Sequence, residues 1–402
     1  MNTSPSALAE HYRYFRVADR LLMTGHSHQA WPDVALAGIQ EAFADAAEDV
    51  DRKWAKAFVR ADRVRAGFAG LLGEEGAELA LGANTHELLV RFGSALDLVG
   101  RPRVVTTDGE FHSARRQLAR LAETDIDVVT VPSQPVATLA ERLAAQVEGH
   151  TAAVLVSSVL FETAHVVPHL AAVAQACARH GAELLVDAYH HLGVVPFSLA
   201  EGLSQAWVVG GGYKYLQLGE GNCFLRLPAH AQTLRPIITG WYAEFGDLDQ
   251  PAGGGVAYAR GADRFAGATY DPTSHYRASR VLDFFVENGL SPARLREISL
   301  HQRGLLAAEF DHLDLPDAVI TRDRLTSPEG FGGFLSLTTT HASRLQSALA
   351  ERGVSTDARG DHLRLGPAPY LTDDQLRAAV VALDETVRGI AEPAIPASAN
   401  RP

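Results

Sequence analysis

The chain predicts an α/β fold: a large domain built on a mostly parallel, seven-stranded sheet, followed by a smaller α+β domain. Three observations carry this. Seven short apolar runs, at 79–81, 104–106, 128–131, 153–157, 183–186, 206–209 and 223–227, show little polar alternation, the mark of strands buried on both faces. Amphipathic stretches at 86–98, 113–123, 139–147 and 170–181 fall between them, and strand alternating with helix gives a parallel sheet. Beyond about residue 289 the pattern changes to helix, short strands and helix again. A length of 402 residues accommodates two such domains.

Taken in order, residues 1–12 are polar and read as a loose tail. LLMTGHSHQAWP, at 21–32, reads as an extended piece entering a turn, with Pro32 suited to the first turn of a helix. Helical spacing of Val34, Leu36, Ile39 and Phe43 continues to about residue 72, with a break before Phe58. The boundaries expected are an N-terminal segment and helix at 1–48, a large domain at 49–288, a small domain at 289–390 and a disordered tail at 391–402. Residues 228–268 are irregular, and 251–261 should form an exposed excursion. In the small domain we expect helices at 295–313 and 341–352 and strands at 319–320, 333–337 and 363–365. The last helix opens on TDDQ at 372–375, a capping box.

Composition narrows the function. Net charge is −12 and no block of Lys and Arg occurs, so nucleic acid is not an expected partner. No apolar run reaches about 18 residues, so no membrane span is expected. The first twenty residues lack an apolar core, so no signal peptide is expected either. The two cysteines, Cys177 and Cys223, have no CxxC spacing, which fits a reducing, cytoplasmic setting. His26 and His28 lack nearby acids or cysteines, so no metal site is expected.

The chemistry centres on GGGYKYLQLGEGNCFLRL, residues 210–227. Lys214 sits between two tyrosines, among glycines, with an apolar run on each side. Glycines let the backbone approach a bulky partner, and a lysine on a rigid support suits covalent attachment to a carbonyl; a surface lysine on a hairpin is the bland alternative. Asp187 ends ELLVD, and an acid at a strand's carboxyl end faces the ligand crevice of such a sheet, unless it is a turn former. His190 and His191 follow. Asn84 and Thr85 precede a helix, where backbone N–H groups seat a phosphate, though Thr85 could be a simple cap. Phe111 follows another strand end and could stack on a flat ring or be core. Arg364 ends a small-domain strand, and its fork suits a carboxylate. There is no Walker loop, nucleophile elbow or HExxH.

Lys214, Asp187, Asn84 with Thr85, and Phe111 together supply what an aldehyde cofactor with a phosphate and a pyridine ring requires: an amine, an acid for the ring nitrogen, a phosphate seat and a stacking group. Here the sequence resembles the fold-type I pyridoxal-phosphate enzymes of the class V aminotransferase group, and within it kynureninase. DAYHHLGVVP is similar to D-x-A-H-x-x-G-x-x-P and places Asp187 and His190. GYKYL is similar to S-Y-K-Y-L and places Tyr213 and Lys214. LRLGPAPY places Arg364, GEFHS places Phe111, and VSSVLFETA points to Ser157. The resemblance also implies that Trp241 and Thr269 reach the cofactor phosphate across a homodimer interface.

What the resemblance implies is pyridoxal 5′-phosphate on Lys214, an amino acid bound through Arg364, and hydrolytic Cβ–Cγ cleavage of kynurenine or a related aryl amino acid to an aryl acid and alanine. Lys214 would take the Cα proton and Tyr213 would assist water attack on the side-chain carbonyl. Two regions depart from the family: GHSHQ, which puts His26 and His28 near the aryl pocket as substrate contacts, and 268–272. The alternatives are a class V aminotransferase or C–S lyase using the same residues, or a cofactor-retaining protein without catalysis, against which stands the lack of a DNA-binding extension. A cysteine desulfurase is disfavoured, since neither cysteine lies in the small domain or the loop before it.

Overall fold

Seven strands form the central sheet of the computed structural model, which describes residues 4–248 and 255–391. They are β1 (Leu79–Gly82), β2 (Arg103–Thr107), β3 (Asp127–Val131), β4 (Thr151–Ser157), β5 (Glu183–Asp187), β6 (Trp207–Gly211) and β7 (Cys223–Arg226). Their spatial order is β1-β7-β6-β5-β4-β2-β3. Only β7 is antiparallel to its neighbours, so the other six share one direction and end at one edge.

Alternate side chains of each strand enter separate cores. Val154, Val156, Val186 and Val208 pack with Phe68, Val173 and Phe284 on one face. Ala153, Leu155, Trp207 and Val209 pack with Leu88, Phe92 and Leu118 on the other. Helices Lys53–Leu71, Leu170–His180 and Thr273–Glu287 supply the first layer; Thr85–Ser94 and His112–Leu121 supply the second. Apolar residues on both faces explain the continuous runs in the sequence, with exposed positions at Asp127 and Thr130 of the edge strand β3.

From Ser4 on, the N-terminal segment is not loose. Ser4 caps a helix over Pro5–Ala9, and Leu8 and Tyr12 are buried. The Tyr12 ring lies 4.7 Å from that of Tyr370, and its hydroxyl donates to Gln217 Oε1 at 2.5 Å. Two large side chains in a polar stretch outweigh its composition. Leu21–Leu22 then pairs in parallel with Val354–Ser355, tying this segment to the C-terminal part of the chain.

The C-terminal part of the chain carries a three-stranded antiparallel sheet, in the order Asp357–Arg359, His362–Leu365, Leu335–Thr338. The strand expected at 319–320 is absent. Ile320 is buried, but the backbone makes only a single bridge, Thr321 to Thr338. Asp357–Arg359 is a strand that no expectation included. The capping box of the last helix, Asp373–Ala391, is present: Gln375 N–H donates to Thr372 Oγ1 at 3.3 Å and Thr372 N–H to Gln375 Oε1 at 3.0 Å. Beyond Ala391 the expected tail lies outside the described residues, as do residues 251–254 of the expected excursion.

Candidate active site

The shared direction of six strands gathers the chemistry at one edge. The chain leaves β6 through Gly211 and Gly212 and turns into Tyr213 and Lys214. Lys214 is 5% exposed, and its Nζ lies 2.5 Å from His190 Nε2. Aromatic rings surround the amine: Tyr189 at 4.6 Å, Phe111 at 5.3 Å and Tyr213 at 5.8 Å from Nζ to ring centre. Burial lowers the Lys214 pKa to about 7, against the pull of Asp187 and with the push of Arg364. His190 is buried too, and burial followed by the Lys214 charge holds it well below the ordinary histidine value. The pair therefore holds at most one positive charge comfortably.

Asp187 ends β5, level with Ser157 of β4 and Val209 of β6. Its Oδ1 accepts the Tyr189 backbone N–H at 2.9 Å. Burial raises its pKa, opposed by that N–H and by Lys214. A cavity of about 270 Å³ connects these groups, lined by Asn84, Thr85, Phe111, Ser157, Asp187 and Lys214 among others. Asn84 caps helix Thr85–Ser94, its Oδ1 accepting the Glu87 N–H at 3.0 Å. The remaining N–H groups of that first turn have no intrahelical partner and border the cavity, a ready seat for an anion.

Two residues of this site escaped the sequence reading. Glu110 is buried directly before Phe111. Ser157 Oγ donates to its Oε2 at 2.6 Å, while Ser157 N–H and Thr107 Oγ1 donate to Oε1 at 3.1 and 2.7 Å. Burial pushes its pKa up to about 7, and the neighbouring Asp187 adds to that. Ser157 thus lines the cavity with its hydroxyl already committed to Glu110.

Tyr189 is the second. It stands where the motif D-x-A-H has alanine, so the signal lay inside the quoted motif. Gly211 makes room for it: a Cβ there would collide with Tyr189 Oη and Cys223 Sγ. The phenol hydroxyl sits 3.7 Å from Cys223 Sγ.

The other expected residues are distributed as follows. His26 is fully buried, 4.6 Å from the Phe334 ring, against Gly366, where any side chain would strike the imidazole. Burial first, then Arg364 and Lys214, keep it neutral. His28 is exposed and stacks on Tyr213 at 5.5 Å. Burial pushes the Tyr213 phenol up to about 12. The Arg364 fork is already engaged, by Asp357 and the Phe161 carbonyl. Thr269 lines a second cavity of about 680 Å³ that adjoins the first at Ala83, Glu220 and Gly221. Trp241, 43% exposed, borders neither cavity.

Known proteins share this architecture. C-DES, in a lysine-to-alanine mutant with glycine covalently linked to its PLP cofactor, superposes with a TM-score of 0.82 at 18% identity over 94% of this chain and 98% of that one. The apo cysteine desulfurase of Thermococcus onnurineus NA1 gives 0.80 at 15% identity, covering 97% and 99%. The cysteine desulfurase CsdA of Escherichia coli gives 0.79 at 16%, covering 96% and 98%. The chain has the fold-type I pyridoxal-phosphate enzyme fold. In sequence it is 26% identical over 331 residues, 81% of its length, to the uncharacterized aminotransferase YcbU of Bacillus subtilis (strain 168), covering 84% of that protein. No protein-family model matches the chain.

Proposed function

We propose that the protein is a pyridoxal-phosphate enzyme of the class V aminotransferase type that acts at Cα of an amino acid, as a C–S lyase or aminotransferase. The observation that carries this is one cavity bounded by a buried amine, a buried carboxylate, an aromatic ring and an open helix N-terminus. The cofactor would be held by Lys214 at its aldehyde, Asp187 at its ring nitrogen, Phe111 on its face and the Asn84–Thr85 turn at its phosphate. When bound, it supplies an electron sink for charge developing at Cα.

The chain's own residues do the rest. Lys214, lowered to about 7, is an amine that can be neutral at physiological pH, and so can serve as nucleophile and then as base for the Cα proton. His190 at 2.5 Å is placed to share that proton. Asp187 stays in place through the Tyr189 N–H, and Phe111 with Tyr189 excludes water from the amine. Thr269, in the adjoining cavity, and Trp241, on the exposed surface, would complete the phosphate seat of a second copy.

The relatives named above are an aminotransferase, a PLP-carrying C-DES and cysteine desulfurases. They favour elimination or transfer over the Cβ–Cγ hydrolysis that the kynureninase resemblance implies. The test is spectroscopic and chemical. The purified protein should carry a visible cofactor band that Lys214→Ala removes, and no band in the wild type rejects the reading. With cystine or cysteine conjugates, pyruvate marks the lyase; a keto acid with retained side chain marks transfer; alanine from kynurenine would reinstate hydrolysis.

A further inference from the structure

Asp357 and Arg364 face each other across the antiparallel hairpin of the small domain, and both are buried. Arg364 Nη2 donates to Asp357 Oδ2, Nη1 donates to the Phe161 carbonyl of the large domain, and Nε has no partner. The other carboxylate oxygen, Oδ1, accepts from Arg359 Nη1 at 2.6 Å. Arg359 keeps 38% of its side chain exposed. His26 Nε2 lies 3.7 Å from Asp357 Oδ2, with neither ring nitrogen hydrogen-bonded. The cluster therefore holds two guanidinium groups, one carboxylate and a neutral imidazole. It has one positive charge to spare and a carboxylate already in the fork.

We propose that Asp357 is a resident stand-in for the substrate's carboxylate. It holds Arg364 while no substrate is present, and it passes to Arg359 alone when an amino acid arrives. This deepens the amino-acid reading above and rests on it. A desolvated guanidinium without a counter-charge is strongly unfavourable, so an empty fork needs an occupant. Asp357 already contacts Arg359, so its displacement breaks one charge-assisted bond and keeps the other. The incoming carboxylate then neutralises the spare charge. Asp357 thereby sets a threshold: a ligand lacking a carboxylate leaves it in place, and a carboxylate ligand must outcompete it.

The test is calorimetric titration with propionate, which needs no turnover. Asp357→Asn should bind propionate about tenfold tighter than wild type, the equivalent of one charge-assisted hydrogen bond's advantage. Arg359→Gln should bind it several-fold more weakly, because Asp357 then has only Arg364 to hold. Unchanged or weaker binding in Asp357→Asn would make Asp357 a structural partner and overturn the proposal. Should Asp357→Asn fail to fold, the half-exposed Arg359→Gln decides alone, and unchanged affinity there overturns it equally. The cofactor band is read separately, so a protein without the band rejects the enzymatic reading whatever the propionate result.

Discussion

Glu110 offers the sharpest measurement. Burial raises its pKa from the ordinary 4.5 to about 7. Between those values the folded protein binds more protons than the unfolded chain, so this group makes stability fall as pH rises. The penalty is small below the unfolded value and complete above the folded one. At 1.36 kcal/mol per pKa unit, it grows from under about 1 kcal/mol at pH 5 to about 3 kcal/mol at pH 8. Glu110→Gln removes the titration and preserves the shape. The amide oxygen can still accept from Ser157 N–H and Thr107 Oγ1, and the Ser157 hydroxyl can turn to accept from the amide NH2. Urea unfolding of both proteins from pH 5 to pH 8 isolates the effect, because His190, His26 and Lys214 titrate in both and cancel. The variant should gain on wild type steadily toward pH 8. A difference that stays flat across that range would refute the claim that this carboxyl is held protonated by its surroundings.

Gly211→Ser should destabilise by about 1–3 kcal/mol through overpacking against Tyr189 and Cys223, and its added cost should shrink, without vanishing, in a Tyr189→Ala background, a non-additivity that a double-mutant cycle in denaturant would read. Glu74→Gln should cost about 3 kcal/mol in the same assay, because Arg226, only 4% exposed, would lose its counter-charge. Asp384→Asn, at the exposed pair with Arg388, should cost under about 1 kcal/mol.

The sheet was legible because each of its strands is apolar on both faces, and all seven expected runs became strands of one sheet. The cavity was legible where a residue's position follows from its place at a strand end, as for Asp187 and Lys214, which line it together. It was not legible where a side chain's surroundings depend on a partner distant in sequence. Glu110 looks like one more acid until Ser157, 47 residues away, arrives on the neighbouring strand. The Asp357–Arg359 strand was missed because DAR has no apolar pattern; its cue was the turn at Gly360, with φ of +51°, closing on His362–Leu365. The N-terminal segment was misread by composition, since a few side chains, Leu8 and Tyr12 foremost, supply its packing. The tyrosine at 189 could have been weighed against the alanine of its motif, and only Gly211 explains why it fits.

The likeness to cysteine desulfurases raises the question of whether a protein thiol takes part in the chemistry, and the two cysteines answer it differently from the fold. Cys177 lies in helix Leu170–His180, packed in the core. Cys223 lines the cavity beside Lys214 but is only 3% exposed and rests against Tyr189. Burial pushes both thiols up to about 12, so neither supplies a thiolate near neutral pH, and a thiol attacks only as its thiolate. If the reaction proposed above releases sulfur, that sulfur would leave on the substrate's own fragment or as a small molecule. Treating the native protein with iodoacetamide should therefore leave turnover intact, while the unfolded chain should label at both positions. Rapid labelling of Cys223 in the native state, with loss of activity, would show a reactive thiol in the cavity and return the desulfurase reading to contention.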